Sequence, residues 1–131
     1  MNATSQKTIR LAAILGAVTV AFGAFGAHGL KPHLDVYQTG IFEKGIQYQF
    51  YHVLALAVLG LLQTNQDANP WLGYSKWLFT AGIAFFSGSL YLLACKDILP
   101  FGVSWAGPVT PLGGLCFIAG WAGLAVSTLR T

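Results

Sequence analysis

Four long stretches of this chain carry no charged side chain, and that spacing limits what it can fold into. The seven basic and four acidic residues leave gaps from Arg10 to Lys31, Lys44 to Asp67, Lys76 to Lys96 and Asp97 to Arg130. Each gap can hold the ~20 apolar residues needed to cross a hydrocarbon core of about 30 Å. In lipid every backbone amide and carbonyl must be paired within the protein, so such a run becomes a helix. A transmembrane barrel does not fit, because its strands are only ~10 residues long and alternate polar with apolar. A soluble bundle does not fit either. It needs a polar face on each helix, and Leu11 to Ala27 offers only Thr19. Charged residues make up 8% of the chain, against about 25% in an ordinary soluble protein, too few for a water-facing coat. The expected fold is all-α: one four-helix transmembrane bundle over residues 1–131, with spans near 9–30, 45–63, 77–95 and 111–129.

The connections follow from the breakers between these runs. Pro32 stops span 1. Between Lys31 and Lys44, Leu34, Tyr37 and Ile41 recur at helical spacing, which predicts either a short amphipathic helix lying in the interface or an ordered loop. Thr64 to Lys76 is the most polar stretch and reads as a solvent loop. Lys96 to Val109 is broken by Pro100, Gly102 and Pro108. Thr110 with Pro111 reads as the cap and first residue of span 4. Trp71, Trp77 and Trp105 fall near span ends, at headgroup level, while Trp121 lies inside span 4 as a packing residue. Lys7 and Arg10 before an apolar run partly match a signal peptide, but the run is long for one, so a retained first span is expected.

The formal net charge of +3 is not a nucleic-acid signature, because the basic residues are single and scattered. They flank the spans instead. With the N-terminus inside, Lys7, Arg10, Lys76 and Arg130 face the cytoplasm and Lys31, Lys44 and Lys96 face out. The bias is small, and it points to both termini inside. Cys95 and Cys116 lie in apolar runs, with no C-x-x-C and no His/Cys metal spacing, and read as buried, inert thiols.

Helices in lipid associate by close contact of small residues, since lipid tails are as apolar as leucine. Gly16, Thr19, Gly23 and Gly26 share one side of span 1; Ala13, Ala17, Ala21, Ala24 and His28 share another. Span 4 carries Gly113, Cys116, Gly120, Gly123 and Ser127, and span 3 offers Ala81, Ala84, Gly88 and Cys95. These stripes read as seams, so span 1 can take a neighbour on each of two sides. A substrate path lined by small residues is the alternative.

Polar groups within a membrane are costly and therefore functional suspects. His28 closes span 1, and Gln47, Tyr48, Gln49, Tyr51 and His52 open span 2 in the same half of the bilayer. Gly45, Gln49 and His52 share one helical face, while Gln47 and Tyr51 share another. Three readings of His28, Gln47, Tyr48, Gln49 and His52 stand open. They hydrogen-bond within the bundle and fix its register, they line a small cavity for a lipid headgroup, ion or other ligand, or the two histidines ligate metal or haem. Two histidines at different depths with no inward carboxylate make the metal signal weak, and neither a metal site nor a cofactor is assigned. No G-x-S-x-G, H-E-x-x-H, phosphate-binding glycine loop or intramembrane carboxylate pair is present, so nothing points to an enzyme.

Gly23 to Leu30 (GAFGAHGL), Tyr48 to His52 (YQFYH), Gly107 to Gly114 (GPVTPLGG) and the following Gly120-Trp121 resemble a bacterial membrane family called domain of unknown function 423. The family includes YgdD-type inner-membrane proteins and is similar to eukaryotic transmembrane protein 256. The resemblance covers nearly the whole chain. It implies four spans in the cytoplasmic membrane and carries over no catalytic residue. The functional expectation is a structural or accessory protein whose partners are membrane lipids, a second copy of itself or another membrane protein. The rival is a transporter or channel component with a polar path lined by spans 1 and 2.

Overall fold

A computed structural model describes residues 1–66 and 68–129. Asp67 and Arg130, which enter the charge pattern above, lie outside the described residues. All regular elements among the described residues are helical, and four continuous helical segments are long and apolar enough to cross a membrane: Ala3–His33, Val36–Leu62, Pro70–Ala94 and Ala106–Ser127.

Each helix starts earlier than the apolar runs alone indicate, and three of the four starts are set by polar caps. Helix α1, Ala3–Phe25, is capped by Asn2, whose side chain accepts from the Ser5 N–H at 2.8 Å. It continues through a π-turn, Gly26–Leu30, and a 3-10 turn, Lys31–His33, which contains Pro32. Only Leu34 and Asp35 separate it from α2, Val36–Leu62. Asp35 and Gln38 form a capping box: the Gln38 N–H donates to Asp35 Oδ1 at 2.7 Å, and the Asp35 N–H donates to Gln38 Oε1 at 3.0 Å. Of the residues expected to form a separate interfacial helix or loop, Lys31–His33 end the first helical segment, and Val36 to Lys44, with Tyr37 and Ile41, are the first turns of α2, continuous with the span. At about 1.5 Å per residue, the 27 residues of α2 reach about 40 Å, more than the ~30 Å hydrocarbon core.

Helix α3, Pro70–Gly82, runs through a second π-turn, Ile83–Ser87, into α4, Gly88–Ala94. Its start corrects the solvent-loop reading of Thr64 to Lys76. Asn69 caps it by accepting from the Trp71 N–H at 3.1 Å, and Pro70 takes the first position, where a missing N–H costs nothing. Helix α5, Ala106–Ser127, starts before Thr110, which is not its cap. Thr110 Oγ1 instead meets Ser89 Oγ at 2.5 Å.

Helix α2 is the hub. It packs against α1 on one side and against α3, the second π-turn and α4 on the other, and α3 and α4 pack on α5. The core holds Ala12, Val53, Leu56, Leu59, Leu72, Phe79, Ile83 and Phe117. Glycines admit it. A Cβ on Gly113 would overlap the Phe86 backbone, and one on Gly82 would overlap the Phe117 ring. One on Gly120 would come within 2.6 Å of Phe79, and one on Gly123 within 2.5 Å of Ser75 Oγ. Across the α1–α2 seam, Gly26 leaves no room beside Phe42. Gly16 and Gly23 would make ordinary contacts, at 3.4 Å to Val53 and 3.7 Å to Ile46.

Two stripes lie elsewhere than expected. Ala84 is exposed and Gly88 has open space beside it, because α3 and α4 turn Leu72, Ser75, Phe79, Ile83, Ser87 and Leu90 inward. Ala13, Ala17, Ala21, Ala24 and His28 are all exposed, so α1 has one neighbour within the chain rather than two.

Candidate functional site

The inward face of α2 carries a ladder of polar contacts to the helices opposite. At the first rung the Ser87 hydroxyl donates to the Gly45 carbonyl at 2.7 Å. Gly45 is the residue that permits this approach, since a Cβ there would come within 2.7 Å of the Tyr91 ring. At the second rung the Tyr91 hydroxyl donates to Gln49 Oε1 at 2.5 Å. The Tyr91 ring is held edge-on to Phe22, with centroids 5.4 Å apart. At the third rung, His52 lies flat on Phe117, with centroids 3.6 Å apart and planes 9° from parallel.

The hydrogen-bond partners of His52 fix its tautomer. Nδ1 lies 2.6 Å from the Tyr48 carbonyl, which can only accept. Nε2 lies 3.0 Å from Nε1 of Trp121, which can only donate. The ring therefore carries its proton on Nδ1 and offers the Nε2 lone pair to the indole. Both nitrogens are used, and the ring is 4% exposed. Among the described residues no buried side-chain nitrogen or oxygen is left without a partner. Chemically the ladder is a set of satisfied contacts, each worth about 0.6 to 2 kcal/mol in a membrane. Within it both His52 nitrogens and the hydroxyl protons of Ser87 and Tyr91 are taken up by partners.

The structure separates the sequence candidates into two groups. Gln49 and His52 are buried in the ladder. Tyr48 is half-buried, supplies the carbonyl that orients His52, and packs its ring on Phe86 at 4.7 Å. Gln47 is exposed on the opposite face of α2, where it lines a cleft with Lys31, Thr39 and Glu43. His28 is exposed on the π-turn and does not meet His52. Ser87, Tyr91 and Trp121 complete the ladder and were not among the sequence candidates. Ser87 and Tyr91 lie four residues apart in an apolar segment, a signal that could have paired them with Gly45 and Gln49.

A second polar clasp ties the other end of α1 to α2. The Ser5 hydroxyl donates to the Gly60 carbonyl at 2.7 Å, and the Thr8 hydroxyl donates to Gln63 Oε1 at 2.6 Å. The Asn2 amide donates to the Gln63 carbonyl at 2.8 Å. Ser5 and Thr8 are fully buried.

Comparison with known proteins places this architecture. The family described as "Protein of unknown function (DUF423)" matches residues 22–114, which contain His28, the Tyr48 to His52 motif, both π-turns and the glycine-rich start of α5. The chain belongs to the DUF423 family. Its relatives include a UPF0382 membrane protein of Staphylococcus haemolyticus, 41% identical over 93% of this chain and 98% of the relative. The UPF0382 membrane protein YwdK of Bacillus subtilis is 38% identical over 93% of this chain and 95% of its own length. The UPF0382 inner membrane protein YgdD of Escherichia coli is 40% identical over 97% and 92%. No solved structure matches. With four apolar helices and membrane-protein relatives along nearly its whole length, this DUF423 chain is an integral membrane protein of unknown biochemical activity. Its matched region holds every residue of the ladder except Phe117 and Trp121.

Proposed function

We propose that this DUF423 chain is a structural or accessory membrane protein that packs against a second copy of itself or another membrane protein through the outer face of α1. The supporting observation is that α1 rests on α2 and has no comparable contact with α3, α4 or α5. It leaves Ala13, Ala17, Ala21 and Ala24 exposed in one stripe. Small residues in line let a neighbouring backbone approach closely, which is how helices associate in lipid. The satisfied ladder favours the same reading, because Gln49 and His52 are occupied within the bundle rather than turned toward a path for solutes. We place the protein in the cytoplasmic membrane with both termini inside, as the distribution of basic residues favours.

The test is the assembly state of the purified chain in nanodiscs, compared with Ala17→Leu and Ala21→Leu variants. The expected result is a defined complex in the parent that the leucine variants lose while their helix content stays unchanged. A parent that runs strictly as a monomer, with no partner retained in mild detergent, overturns the reading.

A further inference from the structure

Between the end of the first helical segment and the start of α2 lies a cleft of about 250 Å³, separate from the ladder and from the alanine stripe. Lys31, Thr39, Glu43 and Gln47 line its rim, and Gly26, Phe42 and Ile46 line its floor. The rim groups differ from their polar neighbours at this end of the molecule. Asp35 and Gln38 are spent on the capping box, and Gln38 also donates to Asp97 at 2.7 Å. Lys31 and Glu43 bring opposite charges to one cleft, yet no salt bridge joins them. A second, wider hollow also lined by Lys31, Thr39 and Glu43 continues the rim outward.

The depth of the cleft follows from the length of α2. The helix exceeds the hydrocarbon thickness by about 10 Å. Asp35, Glu43 and Lys44 mark the end where the excess lies. Glu43 is therefore at headgroup level, and Gln47 and Ile46, one turn further along, are at the top of the acyl region. A ligand seated here meets a cation, an anion and two neutral polar groups above an apolar floor.

We propose that this cleft binds a phosphoethanolamine group, as the headgroup of a phospholipid. The phosphate lies against Lys31, the ammonium between Glu43 and Gln47, and the glycerol over Gly26 and Ile46. Glu43 disfavours a purely anionic headgroup by like-charge repulsion. A choline headgroup has no N–H to give to the Glu43 carboxylate or the Gln47 carbonyl, so a hydrogen-bearing amine fits better. The apolar floor favours the lipid over the same group free in water.

Native mass spectrometry of the full chain in detergent tests this. The protein is offered phosphatidylethanolamine, phosphatidylcholine and phosphatidylglycerol with identical acyl chains. Retention of one phosphatidylethanolamine is expected to exceed that of each other lipid by about fivefold, the scale of one partly exposed charge contact. Glu43→Gln should abolish that preference, and Lys31→Gln should lower retention of all three lipids. Soluble glycerophosphoethanolamine should not displace the bound lipid. Equal retention of the three lipids by the parent protein overturns the assignment, whether or not the variants fold. So does a phosphatidylglycerol preference unaffected by Glu43→Gln, and so does displacement by the soluble headgroup. Both variants change exposed rim groups, and unfolding midpoints equal to the parent's will confirm that the fold is intact.

Discussion

His52 has the residue type of a ligand or a proton carrier and the surroundings of a packing residue. Its Nδ1 proton goes to a carbonyl one turn back, its Nε2 lone pair receives the Trp121 indole, and Phe117 covers one face of the ring. Trp121 is the more informative half of the pair. Its body is 46% exposed, yet its one polar atom turns inward. Replacing Trp121 with Phe keeps an aromatic ring in place but removes the donor together with part of the ring that packs on Phe79, leaving Nε2 buried and unpaired. The variant should unfold about 1 kcal/mol more easily than the parent, read from its denaturation midpoint in detergent. An unchanged midpoint would show that the indole contact contributes nothing to the bundle. The pairing was not legible in the sequence because the two residues come from different helices, and helical periodicity relates positions only within one. The shared face of Gly45, Gln49 and His52 was legible, because it depends on the geometry of α2 alone.

At the scale of elements, the same division runs between what is local and what is tertiary. Counting apolar runs finds four helices but misplaces their starts, and in three of them the caps Asn2, Asp35 and Asn69 extend the helix into polar sequence. Those caps are local, and both Asp35-x-x-Gln38 and Asn69-Pro70 stand in the sequence as start signals. Which face a helix buries is not local. The stripe Gly113, Gly120, Gly123 and Ser127 is buried on α5, where it receives aromatic rings and a serine from α3 and the second π-turn. The supplying face is built on Phe79 and Ile83, so a search for small residues alone selects the wrong side of α3 and α4. The two kinds of glycine should respond differently to substitution. Gly113→Ala puts a methyl group into the Phe86 backbone and should cost about 1 to 3 kcal/mol through overpacking. Gly88→Ala meets open space and should stay within about 1 kcal/mol of the parent, with any change favouring the helix. Unfolding midpoints of the two variants measured side by side decide this, and equal losses would refute the seam.

For the whole molecule, the pairing of helix ends determines which residues share a side of the membrane. Asn2 bonds to Gln63 and Thr64, and Asn69 bonds to the Ser127 carbonyl, so the start of α1, the α2–α3 connection and the end of α5 lie together. Gln38 bonds to Asp97 at the opposite end. The first end carries Lys7, Arg10 and Lys76, with Arg130 beyond the described residues, and the second carries Lys31, Lys44 and Lys96. Acidic residues count little in setting orientation, so Asp35, Glu43 and Asp97 do not tip the balance, and one basic residue separates the two sides. Arg10 borders the uncharged run of α1, closer to the apolar stretch than Lys7. An orientation held by so narrow a margin should be easy to disturb. A C-terminal fluorescent fusion should report a cytoplasmic end in the parent. Lys7→Gln combined with Lys76→Gln should shift part of the population to the inverted form, detected by a C-terminal phosphatase fusion that is active only outside. A parent C-terminus found outside would overturn the assigned orientation. A double variant that keeps its orientation completely would show that the basic residues do not set it, and that another property of the bundle does.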